Sequence, residues 1–461
     1  MLFSSITFLY YFLPATLAVY FCVPKKLRNT VLLCASLLFY AWGEPIYVLL
    51  MAVAILMGYG FSRLMEYDPA RKKLYLTLSC LSGLGMLAYF KYADFFIQNF
   101  NALTGLSVPL LQIALPIGIS FFTFQILSYT IDVYRGDVPA QKNLITFAAY
   151  VAMFPQLIAG PIVRYTDVAP QLESREIRIP DCRAGLRRFI LGLAKKVLLA
   201  NQLGQLCALY QSAESPTVLF TWMYAVAFML HIYFDFSGYS DMAIGLGKIL
   251  GFRFPENFDH PYLSQSITEF WPRWHMTLGR WFRDYVYIPM GGNRVSKLRW
   301  LFNLLVVWML TGLWHGAAWT FVLWGLGFAL VLIVEKLWLH RLLDKLPRVL
   351  RHVYVLLIVL VSFVLFNADD LAQAGQQLCA LVGLGGLPPV NAETLYYLRS
   401  YALLLVLSVF GALPLARDLA AKWADRRAMA VLEPIVLMLL LLLSTAYLVD
   451  GSFNPFLYFR F

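Results

Sequence analysis

The chain has 461 residues, 60% of them apolar or aromatic and only 14% charged, against about 25% charged in an ordinary soluble domain. That balance excludes a water-soluble globular protein, and the long apolar blocks predict a polytopic membrane protein. The formal charge of +11 sits in short loops between those blocks, where it marks the cytoplasmic side rather than a nucleic-acid surface.

The first apolar block, residues 2–23, lacks the basic start and small-residue cleavage pattern of a signal peptide and is expected to stay as a helix. Lys25, Lys26 and Arg28 then place the next loop inside and the N-terminus outside. Short apolar blocks at 30–42 and 45–61 precede a second basic cluster at 71–73. Residues 74–90 cross outward and 108–131 return. Residues 147–163 are interrupted by Pro155, Gly160 and Pro161, which predicts a broken or re-entrant helix. The stretch 164–188 is expected to be a polar cytoplasmic loop. Further spans are predicted at 189–209, 218–236, 300–314, 317–335, 353–366, 401–415 and 432–449. Basic loops at 336–352 and 417–427 fit the inside, which puts the C-terminus outside.

Between 236 and 299 charges, aromatics and glycines are mixed. One reading is a long cytoplasmic loop; the other is a set of short intramembrane helices packed against the spans. Phe270, Trp271, Trp274, Trp281 and Phe282 favour the second, because aromatics concentrate at membrane interfaces.

The six cysteines are scattered, with no C-x-x-C, and no histidine–acid cluster has metal spacing, so no metal is expected. No G-x-S-x-G elbow or P-loop occurs. The run from Gly245 through Gly247 to Gly251 has the wrong spacing for a dinucleotide fingerprint and predicts close helix packing.

Six histidines remain to be weighed. His340 and His352 lie among basic residues, and His260 sits in a turn-like segment. His315 interrupts the apolar stretch 300–335, where an ionisable side chain is costly and marks a functional candidate. Imidazole also suits proton abstraction from a hydroxyl near neutral pH. Gly312 and Gly316 around it leave space for substrate or for close helix packing. His275 follows Trp271 by four positions, so a helix through this segment puts the two on one face. His231 and Asp235 have the same spacing and are expected to satisfy each other structurally. Physics alone leaves an enzyme and a transporter equally open.

Ordered motifs bear on that choice. Phe234-Asp-Phe-Ser-Gly-Tyr-Ser-Asp-Met-Ala243, Gly251-Phe-Arg-Phe-Pro-Glu-Asn-Phe258, Pro261 to Trp271, Arg273-Trp-His275, Arg283-Asp-Tyr-Val-Tyr-Ile-Pro289, Gly291-Gly-Asn-Arg294 and Leu313-Trp-His-Gly316 follow one another. Upstream stand Phe90-Lys-Tyr-Ala93, Leu115-Pro-Ile-Gly-Ile-Ser120, Tyr129 to Gly136, and Phe154-Pro-Gln-Leu-Ile-Ala-Gly-Pro161. Together they resemble the bacterial membrane-bound O-acyltransferases (MBOAT), in the alginate O-acetyltransferase-like branch. Pro272, where relatives often carry arginine, and His231, where they often carry glutamine, depart from the pattern.

The resemblance implies an all-α ring of tilted transmembrane helices, with short re-entrant helices around a central funnel or tunnel. It implies one membrane domain over 1–461, with core motifs at about 90–335 and C-terminal helices at 336–461. His315 maps to the catalytic histidine, expected as general base or as the site of a covalent acetyl intermediate. His275 maps to an assisting histidine that holds or polarises one reactant. Trp314, Asn257, Glu269, Arg273, Asp235 and Asp241 are expected to line the tunnel or touch substrate. The implied reaction moves acetyl from a cytoplasmic thioester, acetyl-CoA, to an exported polysaccharide of alginate or cellulose type. The acceptor is reached directly or through a periplasmic SGNH-type partner. The implied location is the bacterial inner membrane with both termini periplasmic. The alternative is a transporter of an acetyl carrier or glycan without chemistry of its own.

Overall fold

The computed structural model describes residues 1–423, 427–451 and 456–457, and these are helical with no strand among them. Seven of the described helices are long and apolar enough to cross a membrane: Tyr47–Tyr67, Pro69–Thr104, Val218–Ile249, Trp319–Leu343, Arg348–Asn367, Ala392–Ala412 and Ala428–Asp450. The chain is an all-α, multi-pass membrane protein. It divides into two compact units, Met1–Phe189 with Tyr239–Glu256, and Ile190–Gly238 with Asn257–Phe461.

In the first unit, Phe3, Phe8, Phe12, Phe39 and Phe154 form a ring cluster, and Phe3 stacks on Tyr239 at 4.7 Å. The expected break in 147–163 is present. Helix Leu144–Ala152 stops, and a single turn, Phe154–Leu157, begins with Pro155 in its first turn, all of it buried. The return span expected at 108–131 starts late, at Ile119. Pro109 and Pro116 remove two backbone donors from the preceding stretch. The Asp94 carboxylate instead accepts from the Leu111 and Gln112 backbone N–H groups, at 2.7 and 2.9 Å. The polar loop expected at 164–188 is also corrected: it holds helices Tyr165–Glu173 and Ile179–Ala194. Asp167 caps the first by accepting from the Arg164 N–H at 3.1 Å. Within the glycine run Gly245 makes the expected close helix packing, since a Cβ there would overlap the Gly185 carbonyl, whereas one on Gly247 would meet the ring of Phe254, which lies outside any helix.

The second unit holds the short elements of the polar stretch. Helix Val218–Ile249 runs past the predicted end at 236. The polar stretch after it is not a solvated loop. Short helices Ile267–Phe270 and Met276–Phe282 are packed inward, with Phe270, Trp274 and Trp281 buried. Glu335, itself buried, anchors the first of them: its carboxylate accepts from the Ile267 N–H at 2.7 Å, the Thr268 N–H at 2.8 Å and the Tyr354 hydroxyl at 3.0 Å. That places a negative group at a helix start, where the unsatisfied N–H groups favour it. Residues 336–343 continue a helix rather than form a loop, and Leu371–Leu381 is a helix the sequence did not announce. The basic stretch 417–427 begins in helix Leu415–Trp423; residues 424–426 and the chain's last four lie outside the described residues. Ala392–Ala412 and Ala428–Asp450 bury only 11% and 6% of their apolar windows, so most of their surface is left for lipid.

Candidate active site

His315 is the last residue of helix Lys297–His315, and Trp319 begins the next. Gly316 between them is extended. The two helices meet almost backbone to backbone. A Cβ on Gly312 would overlap the Phe321 carbonyl, and one on Gly325 would overlap the Trp308 carbonyl. Gly312 and Gly316, for which space for substrate or close packing was expected, are both closely packed, since a Cβ on Gly316 would overlap the Phe321 ring. The hairpin leaves His315 only 8% exposed, with its ring edge-on to Trp314 at 5.0 Å, Trp324 at 5.1 Å and Phe366 at 5.2 Å.

His275 comes from the short-helix segment and is 2% exposed. The helix expected to carry it together with Trp271 does not form. The chain turns between Ile267–Phe270 and Met276–Phe282, and His275 itself is left-handed, at φ 43° and ψ 52°. Such a conformation is uncommon outside glycine and, in a buried functional segment, fixes where a side chain points. Trp271 packs instead on Trp308 at 4.5 Å and Phe328 at 4.8 Å. The His275 ring meets Phe236 at 4.6 Å and Trp314 at 5.7 Å, and its Nδ1 lies 3.1 Å from Asn257 Oδ1.

Both histidines line one cavity of about 450 Å³, with Trp271, Trp308 and Thr311 on its walls and the cations Arg280, Arg283 and Lys336 among its lining. His315 and Trp274 also line a second cavity of about 20 Å³, with Asp235, Phe236, Phe366 and Leu457. A space of that size holds about one water molecule. His315 therefore stands between a roomy compartment carrying cations and a narrow apolar one.

Of the other residues expected at the site, Trp314 packs against both imidazoles and Asn257 holds His275. Asp235 lines the small cavity, but its partner is not the expected His231. It forms an ion pair with Lys196 at 2.5 Å and accepts from the Leu457 N–H at 2.8 Å. His231 lies over Gly204. Glu269 and Arg273 pair with each other at 2.8 Å. Asp241 belongs to the first unit, where it pairs with Arg188 at 2.9 Å. His260, His340 and His352 each meet a backbone carbonyl, of Ala412, Glu335 and Ser264. Sequence reasoning missed Lys196 and Glu335. Lys196 is a charge inside the span expected at 189–209 and Glu335 one at the end of that expected at 317–335, which was the available signal. No group of three or more metal-ligating side chains occurs among the described residues.

Residues 138–370 match the family model described as MBOAT, membrane-bound O-acyltransferase family. The chain is 40% identical to the probable alginate O-acetylase AlgI of Azotobacter vinelandii, with 100% of each chain covered. It is 42% identical to the protein of that name from Pseudomonas aeruginosa, over 89% of this chain and 81% of the relative. It is 34% identical to the peptidoglycan O-acetyltransferase of Helicobacter pylori, over 84% and 80%.

Proposed function

The chain belongs to the membrane-bound O-acyltransferase family and is an O-acyltransferase, and we propose that it carries acetyl from acetyl-CoA to a hydroxyl of an exported polysaccharide. The observation that carries this reading is the meeting of His275 and His315 in one cavity, with His315 also facing the second. Donor and hydroxyl then approach one imidazole centre from two compartments.

Arg280, Arg283 and Lys336 beside the larger cavity suit a donor that bears phosphates, as coenzyme A does. The thioester arm would lie along Trp271 and Trp308 toward the histidines. The reaction forms a C–O ester bond and breaks a C–S bond; the hydroxyl proton is removed and the sulfur receives one. An imidazole can do both.

Relatives named for alginate and peptidoglycan acetylation support a polymer hydroxyl as the final acceptor, with alginate favoured over cellulose. The small volume of the second cavity supports delivery through a periplasmic SGNH-type partner, whose serine is slimmer than a sugar ring. The basic loops support an inner-membrane topology with both termini periplasmic. The transporter alternative falls with the family assignment.

The test is to give the purified protein, in nanodiscs, acetyl-labelled acetyl-CoA together with a hydroxyl polymer or periplasmic extract. Release of free CoA with label in an ester on the acceptor supports the reading. An intact donor beside folded protein and all acceptor fractions contradicts it.

A further inference from the structure

A cavity of about 480 Å³ lies within the first unit, where the end of helix Tyr165–Glu173, the start of Ile179–Ala194 and the end of Val218–Ile249 come together. It shares no lining residue with either cavity that His315 lines. Arg175, Arg178, Lys248 and Arg253 line it, with the carboxylates of Glu176 and Asp181. Arg178 is paired to Glu176 at 3.0 Å. Among the described residues Arg175, Lys248 and Arg253 form no ion pair, and neither does Asp181. Three cations thus stand against one carboxylate, and Asp181 sits in the first turn of its helix, where backbone N–H groups draw its charge.

Arg175 is fixed in place without an acid. Its Nε donates to the Tyr20 hydroxyl at 2.8 Å, and its Nη1 to Asn29 Oδ1 at 2.8 Å and to the Gln171 carbonyl at 3.1 Å. Its guanidinium lies 4.5 Å from the centre of the Phe252 ring. Gly251, at φ 88°, gives its stem room, since a Cβ there would come within 3.2 Å of Arg175 Cδ. Neutral acceptors orient the guanidinium and leave its charge uncancelled. The helix-end carbonyls, which would repel an anion, are occupied. Tyr20 donates to that of Leu250 at 2.6 Å, the Phe252 N–H to that of Gly247 at 2.7 Å and the Gly251 N–H to that of Lys248 at 3.2 Å.

We propose that this cavity binds a phosphate group, with Lys248 and Arg253 meeting its oxygens and Arg175 supplying a fixed positive charge beside them. The surroundings favour an anionic phospholipid as the bearer. The cavity lies at the end of a spanning helix, and Phe21, next to Tyr20, and Ile179, next to Arg178, are apolar side chains left 43% and 86% exposed. The site stands independently of the acyl-transfer reading.

The full chain is purified in neutral detergent, and its thermal unfolding is followed in two titrations. In one, phosphatidylglycerol replaces phosphatidylcholine at constant total lipid. In the other, sodium phosphate replaces sodium chloride at constant ionic strength. Wild type is compared with Lys248→Gln plus Arg253→Gln, and with a control, Lys25→Gln plus Lys26→Gln, which removes two exposed cations outside the cavity. Arg175 is kept, because it ties separate segments of the unit together. Phosphatidylglycerol is expected to raise the unfolding temperature of wild type and of the control, as a ligand of the folded state does. In the variant at 248 and 253 the half-saturating mole fraction should rise about tenfold or more, since charge-assisted bonds are lost. Should that variant fail to fold, Arg253→Gln alone, at an exposed position, carries the same comparison. The same pattern with sodium phosphate supports the site with a dissolved anion as its occupant. Equal stabilisation of all the proteins by phosphatidylglycerol overturns the proposal and leaves only a general attraction of basic loops to anionic lipid. A wild type that neither anion stabilises overturns it as well.

Discussion

Lys196 Nζ lies 2.5 Å from Asp235 Oδ1, with side-chain exposures of 0% and 2%, and Asp235 lines the small cavity that His315 also lines. Two opposite charges persist in such a place only together, because each alone would be a desolvated ion. Leu457 adds a backbone N–H to the second oxygen of Asp235, and the Phe456 ring lies 4.6 Å from the ammonium.

Breaking this pair from one side is therefore expected to be costly. Lys196→Met leaves the Asp235 carboxylate buried with one donor and should lower stability by about 3–5 kcal/mol. Pairing it with Asp235→Leu removes the stranded charge and should recover a large part of that loss. Thermal unfolding of wild type, Lys196→Met and the double variant in detergent checks both statements.

Gly312→Ala and Gly325→Ala should each disrupt the hairpin that presents His315, because the added Cβ meets a backbone carbonyl that cannot swing aside. Gly327→Ala, on the same second helix, meets nothing within 4 Å and should be neutral. Size-exclusion profiles and acetyl transfer are expected to separate the first two from the third. Equal behaviour of all three would contradict the packing described.

Glu335→Gln retains the shape of the side chain but replaces one acceptor oxygen with an NH₂ group. The N–H groups of Ile267 and Thr268 then compete for what remains. A buried donor left unsatisfied costs about 1–3 kcal/mol. Unfolding should shift by that amount, and kcat should fall as the segment carrying His275 loosens.

Arg280→Gln, Arg283→Gln and Lys336→Gln are expected to raise KM for acetyl-CoA with kcat changed less, and their effects should shrink as salt rises. Exposed charges are screened over about 10 Å at 0.1 M salt. Salt titration of KM for each variant measures this directly. A donor KM indifferent to all three would remove the cations from the donor site.

Much of the candidate site was legible because membrane chemistry makes polar residues conspicuous. His315 stood out as an imidazole in an apolar run, and the aromatics of 270–282 pointed to packed short helices rather than a loop. What could not be read was backbone geometry. Spacing put Trp271 and His275 on one helical face, but His275 adopts a left-handed conformation that no periodicity encodes. Residues 108–118 are as apolar as a span, yet two prolines and the reach of Asp94 keep them out of a helix. Asp235 was matched with His231 by sequence spacing, whereas its ion pair is with Lys196, 39 positions away.

His315 is the centre of the proposed transfer, and one measurement addresses it most directly. Wild type and His315→Ala, purified side by side and shown to unfold at comparable temperatures, are given labelled acetyl-CoA and acceptor. Free CoA and labelled ester are followed together. A loss of about 10²- to 10⁴-fold in both is expected for the variant, the range for removal of a catalytic imidazole. Equal transfer by the two folded proteins would contradict it and return His315 to a packing role.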